Sequence, residues 1–248
     1  MKKMILVLIG LVFLSTQSFS TNPETEETKM MSVVAGSGLK MRTAPKLSAQ
    51  TIKVIPFGDM VFEVIDTSMT EVISDRIEWM EGEWIKVEHL GDQGYVFNGF
   101  LTNLPVPQFD FELTYEDMDL VSPLESYISY RFDREGEPII YDNKDEIKMV
   151  TNYVAGHKKV EIEDAFMYQI KVTLADTEVH EAYNLLKGML LTGYEKTTYE
   201  NNAVFVENKY GEINKIRINI DNPIEIKQLA GNQVQIRVTN YSYGNCGL

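Results

Sequence analysis

The stretch Trp84-Ile85-Lys86-Val87-Glu88-His89-Leu90-Gly91-Asp92-Gln93-Gly94-Tyr95-Val96-Phe97 decides how the first part of this chain folds. Side chains alternate in character on either side of a glycine-containing turn, read as Gly91 to Gly94, and that is the pattern of two extended strands. In Trp84 to Glu88 the alternation places Ile85 and Val87 on one face and Trp84, Lys86 and Glu88 on the other. In Tyr95-Val96-Phe97 it separates Val96 from the two aromatics. Ile85, Val87 and Val96 are therefore the expected core. Trp84, Tyr95, Phe97 and Phe100, with Trp79, are the expected ligand-binding residues, forming an outer aromatic platform. Glu78, Glu81, Glu83, Glu88 and Asp92 lie close by in sequence, so the expected groove is aromatic and negative. Such a groove suits a peptide carrying free amines, because cation–π and charge attraction then add. A second placement is equally open at this point: the same aromatics close the end of the unit against the long Thr67–Glu83 excursion or against the rest of the chain.

Outward from this hairpin, short extended segments continue in both directions. Leu39 to Arg42, Ile52 to Phe57 with a turn at Gly58, and Val61 to Ile65 precede it, and Phe100-Leu101 closes the unit before Pro105 and Pro107. Together they predict a small barrel of about five short strands over residues 31–105. At Gly38-Leu39-x-Met41-Arg42-x-x-Pro45, Ile55-Pro56-x-Gly58, Trp84-x-Lys86-Val87 and Gly94-Tyr95-Val96 followed by Gly99-Phe100-Leu101, the sequence resembles the bacterial SH3 (SH3b) family. The resemblance covers under a third of the chain. It departs from the family pattern at Met41, where Val is commoner, and at the acidic Thr67–Glu83 excursion, where a shorter hairpin is usual. It implies an SH3-like barrel that binds a peptide or a cell-wall component such as peptidoglycan.

The second half reads as a different kind of layer. Pro105-Val106-Pro107 marks a stiff boundary, and 106–121 is the expected linker. Within it Asp110, Glu112, Glu116, Asp117 and Asp119 lack the spacing of a calcium loop and read as a solvated connector. Ser122-Pro123-Leu124-Glu125 is a helix start, with Ser as N-cap and Pro at the first helical position. Beyond it the pattern predicts a strand over Val160–Leu174, a helix over Thr177–Leu191, and strands over Tyr194–Glu200, Ala203–Lys209, Glu212–Ile220, Ile224–Leu229 and Gln233–Tyr241. The short turns between them join antiparallel neighbours. The fold class is thus mainly β with α+β: a small SH3-like barrel followed by an α+β domain, residues 122–248, with an antiparallel sheet.

Lys2 and Lys3 precede an apolar run from Met4 to Leu14, and Ser18-Phe19-Ser20 then supplies small residues, the order of a secretory signal peptide over residues 1–20. The run is too short to span about 30 Å of hydrocarbon at about 1.5 Å per residue. The expected product is exported, periplasmic or extracellular, with an acidic leader at 21–30 and no membrane span after cleavage. The whole 248-residue chain carries 37 acids and 23 bases, a net charge of −14 that argues against nucleic acid as a partner.

No catalytic set emerges. Cys246, the single cysteine, has no neighbouring base; His180-Glu181 begins a zinc-protease motif, but Asn184 stands at the second histidine position. His89 and His157 are isolated. No cofactor or metal site is expected. The reading is a non-catalytic, exported binding or adaptor protein. The alternatives are an envelope protein that recruits another protein through a sheet edge and has no wall affinity, and a carboxylate hydrolase in the second half.

Overall fold

The structure is a computed structural model that describes residues 29–65, 72–77, 79–106, 121–189 and 193–241, with backbone only at 121–122 and 193–196. The expected signal segment, nearly all of the leader, Glu78, most of the acidic linker, Leu190 and Cys246 lie outside the described residues. The chain is mainly β, and its strands form two antiparallel sheets.

The first sheet contains β1 (Met30–Val33), β2 (Leu39–Arg42), β3 (Thr51–Ile55), β4 (Met60–Glu63), β5 (Ser74–Ile77), β6 (Met80–His89), β7 (Asp92–Phe97) and β8 (Leu101–Thr102). Its order is β3-β2-β7-β6-β4-β1-β8, with β5 added alongside β6. Three of these strands exceed the expected set. β8 has only two residues, β5 is too polar, and β1 opens on the consecutive methionines Met30 and Met31, which hide its alternation. Met31, Val33, Leu39, Met41, Ile55, Val61, Val87, Val96 and Leu101 form the core, while Ile85 packs only at its edge. Gly94 is required where β7 crosses β2, because a Cβ there would lie 2.6 Å from the Met41 side chain and 2.8 Å from the Arg42 carbonyl oxygen. The β6–β7 turn differs from the expected one. His89 pairs with Asp92, so the turn is Leu90-Gly91, with φ of 51° and 83°. Two positive φ angles suit the right-handed twist of a two-residue hairpin.

The second half contains α1 (Val121–Arg131), β9 (Ile139–Asn143), β10 (Glu146–Asn152), β11 (Lys158–Asp164), β12 (Met167–Ala175), α2 (Val179–Met189), α3 (Gly193–Asn201), β13 (Ala203–Glu207), β14 (Ile213–Ile218), β15 (Ile224–Leu229) and β16 (Gln233–Tyr241). The sheet order is β13-β14-β15-β16-β12-β11-β10-β9. Two four-stranded meanders therefore meet at the β12–β16 pair. The single strand expected over Val160–Leu174 is two strands, because the Asp164 carboxylate accepts from the backbone N–H groups of Phe166 (2.7 Å) and Met167 (2.9 Å) and fixes a turn. The segment expected as a strand over Tyr194–Glu200 is the helix α3, and the β9–β10 hairpin was not foreseen.

One face of this sheet is apolar. Ile170, Val172, Leu174, Ile216, Ile218, Ile224, Ile226, Val234, Ile236 and Val238 are buried against Leu124, Tyr127 and Ile128 of α1 and Val179, Ala182, Tyr183, Leu185, Leu186 and Met189 of α2. Each buried Val, Leu, Ile or Met among them contributes about 1.5–3 kcal/mol. Toward the β11 side the same face turns polar: the Lys159 ammonium lies 3.0 Å from Glu125 of α1 and 3.1 Å from Glu161. Burial works against that ammonium, but the two carboxylates outweigh it and raise its pKa.

The two halves share a core. Val34 and Leu104 of the first half belong to the larger cluster, with Phe57, Trp79 and Val106 packed against it. Gly188 of α2 is needed there, since a Cβ would lie 2.3 Å from the Phe57 ring. The Tyr127 hydroxyl donates to the Pro105 carbonyl (2.8 Å). Pro105-Val106 is thus the packed edge of a seam.

Candidate binding cleft

β6 organises the site because it changes its buried face along its length. Met80 and Trp84 are buried in its first half, and Val87 and His89 in its second. The two sets have opposite parity, so the strand serves the first sheet's core with one face and a separate aromatic cluster with the other. The expected Thr67–Glu83 excursion contains the reason, as far as it is described: β5 and the start of β6 form a hairpin extending from the sheet, with Trp79 at its turn. Trp79 meets the second half there, 5.5 Å from the Tyr183 ring and 4.8 Å from the Phe205 ring, centroid to centroid.

Beneath this contact lies a cleft of about 810 Å³. Trp84, Phe97, Phe100, Trp79 and Met80 line it from the first half, and Tyr183, Asn184 and Phe205 from the second; the turn Ala35–Gly38 and the start of β2 line it as well. The expected platform is corrected in part. Trp84 is 3% exposed and Phe97 1%, so neither is an open surface. The Phe97 ring is held between Gly82 and Gly99, where added Cβ atoms would come within 2.8 Å and 2.6 Å of it. The Trp84 indole N–H donates to Asp75 (3.0 Å). Trp79 and Phe100 are half-buried and line the cleft; Tyr95 is half-buried at the margin of the cluster and does not line it.

The expected acidic rim is also corrected. Glu81 and Glu83 have the opposite parity to Met80 and Trp84 and point to the other side of β6. There, with Glu63, Asp176, Glu178 and Glu181, they line a second cleft of about 680 Å³ that includes His180. Glu88 accepts from Gln93, and Asp92 pairs with Lys53. The charged residues lining the aromatic cleft are Lys40, Arg42, Lys187 and Glu200. Lys187 and Glu200 pair with each other, and Arg42 donates to the Ala49 carbonyl (2.9 Å) but keeps its charge, so among the described residues Arg42 and the exposed Lys40 give the lining its net positive charge. The far wall, Tyr183 to Phe205, was missed by sequence reasoning, since nothing local signals which distant segments meet.

The histidines find structural settings. His89 bonds Asp59 (3.0 Å), and His157 accepts from the Ala175 N–H (3.1 Å), with burial pushing its imidazole pKa down. At the start of α2, Glu181 accepts from the Glu178 N–H (2.8 Å), a capping contact. Burial pushes the Glu181 carboxyl up, whereas the bond to His180 holds Glu178 low. Asn184, at the missing zinc position, turns instead toward Met80 in the aromatic cleft, and no group of His, Cys, Asp and Glu among the described residues is arranged to hold a metal ion.

No family model matches this chain, and no curated protein or solved structure matches it at a significant level.

Proposed function

We propose that this is an exported, non-catalytic binding protein whose aromatic cleft at the seam of the two halves takes a peptide or cell-wall component. The observation that carries the reading is the cleft itself: about 810 Å³, floored by Trp84, Phe97 and Phe100 and roofed by Trp79, Tyr183 and Phe205. That volume falls within the roughly 300–1,000 Å³ typical of ligand sites, and aromatic faces suit sugar rings and apolar side chains alike. The SH3b resemblance of residues 31–105 and the signal-like residues 1–20 support the same reading. No helix among the described residues is long and apolar enough to cross a membrane.

Lys40 at the rim favours a ligand with a carboxylate, in place of the amine-bearing peptide that an acidic rim would have favoured. The test is co-sedimentation of the full mature chain with purified wall material, beside Lys40→Glu and Phe205→Ala. Retention of the wild type, with weaker retention of both variants, supports the proposal. Absence of retention at low salt refutes wall binding and leaves the reading as an interaction protein of the envelope.

A further inference from the structure

The face of the second sheet turned away from α1 and α2 is basic, in a chain whose net charge is −14. Cross-strand register fixes which residues share that face. Lys148 stands opposite Ile162, Lys158 opposite Thr173, and Lys171 opposite Arg237. Arg237 stands opposite Glu225, Glu225 opposite Arg217, and Lys215 opposite Lys227. Every strand in the run β10-β11-β12-β16-β15-β14 thus contributes at least one cation to one face. At about 4.8 Å per strand the stripe is roughly 24 Å long.

The stripe is not neutralised from within. Lys215, Arg217 and Arg237 share the single carboxylate of Glu225. Two cation pairs, Lys171–Arg237 and Lys215–Lys227, stand directly opposite each other, a placement that costs stability in an isolated sheet. Desolvation, then the charges of Arg237 and Lys148, lower the Lys171 pKa. Glu146 and Asp164 are the other acids on this face, and they sit together at one end.

We propose that this stripe is a binding surface for a linear polyanion lying across the strands. Its shape decides against a folded acidic partner. The cations fall on three rows of same-face positions, with Lys148 alone on the third, and three rows along about 24 Å amount to roughly 500 Å², short of the about 800 Å² per partner in a stable protein interface. A linear chain of anionic groups needs only the stripe. The chain's overall negative charge does not prevent this, because charges beyond about 8 Å are screened at physiological ionic strength.

The test uses the full mature chain and long-chain inorganic polyphosphate as probe, with orthophosphate as competitor at equal phosphate concentration. Polyphosphate should bind, orthophosphate should not displace it, and affinity should fall roughly a hundredfold between 50 and 200 mM salt if about five cations engage. Lys171→Gln with Arg237→Gln should weaken binding at least tenfold and shallow the salt dependence. Lys46→Gln with Lys209→Gln, an equal change of charge at exposed sites off the stripe, should leave it unchanged. Equal loss in both double variants, competition by orthophosphate, or no binding at low salt overturns the proposal. So does salt-sensitive self-association removed by the stripe variant, which would make the partner a second copy. Aromatic-cleft variants such as Phe205→Ala should not alter polyphosphate binding, so the two sites fail independently.

Discussion

Removing the Trp79 side chain should uncouple the two halves of the molecule. The indole joins them through two ring contacts, at 5.5 Å with Tyr183 and 4.8 Å with Phe205. Aromatic pairs of this kind are worth about 1 kcal/mol each beyond their burial, and truncating a core Trp costs about 3–5 kcal/mol in all. Trp79 keeps part of its surface in water, so Trp79→Ala should cost about 3 kcal/mol, with a coupling of about 1 kcal/mol to Phe205→Ala in a double-mutant cycle. The chain has two tryptophans, so in this variant Trp84 is the sole indole and its fluorescence reports on the first sheet alone. Urea unfolding followed by fluorescence and by far-ultraviolet ellipticity should give coincident transitions in the wild type and separated ones in Trp79→Ala. A midpoint unchanged within about 0.5 kcal/mol, together with zero coupling to Phe205, would refute the view of Trp79 as the clamp of the seam.

Leu90 holds φ = 51° in the β6–β7 turn, where a branched side chain is strained and Asn is at ease. Leu90→Asn should stabilise the chain by about 1 kcal/mol, read as a rise of roughly 2–4 °C in Tm, and a lower Tm would mean that Leu90 makes a contact that matters. Glu181, raised by burial, stabilises the fold fully below its ordinary value of 4.5 and loses that contribution as pH rises through its higher folded value. Glu181→Gln should therefore be more stable than wild type at neutral pH, with an advantage that vanishes in acid. The difference between the two chains is the quantity to measure, because His157 and Glu178, both held low, lose their contributions as pH falls in either one. An advantage that does not change with pH would count against a titrating Glu181. A fragment of residues 29–104 retains the core from Met31 to Leu101 and should unfold cooperatively, but at lower urea than the whole chain, since Val34, Leu104, Phe57 and Trp79 lose their cover. Equal midpoints would show that the seam adds no stability.

Where alternation is clean, sequence and structure agree closely: Ile224 and Ile226 in β15 and Val234, Ile236 and Val238 in β16 are buried two apart, and both strands have the expected bounds. β9 escaped because Ile139, Ile140 and Tyr141 are consecutive apolar residues on an edge strand exposed on both faces, so period two never appears. α3 was misread because Thr197, Thr198 and Tyr199 favour strands by composition, whereas Tyr199 is buried in a helix against Tyr183. The aromatic cluster was legible as a cluster. Its burial was not, since that depends on glycines flanking Phe97 and on a wall a hundred positions further along the chain. The acidic rim failed for a simpler reason: neighbours in sequence on a strand point to opposite faces, and Glu81 and Glu83 follow that rule against Met80 and Trp84.

The change of face along β6 bears on which parts of the molecule open spontaneously. A strand that completes one cluster at Trp84 and another core at Val87 cannot separate from either without disturbing both. Its central amides, from Trp84 to Val87, belong to the last set to exchange with deuterium, at the free energy of global unfolding. The cleft floor accordingly lies on the strand that opens last, whereas the amides of β5, which pairs with β6 alone among the described strands, exchange earlier.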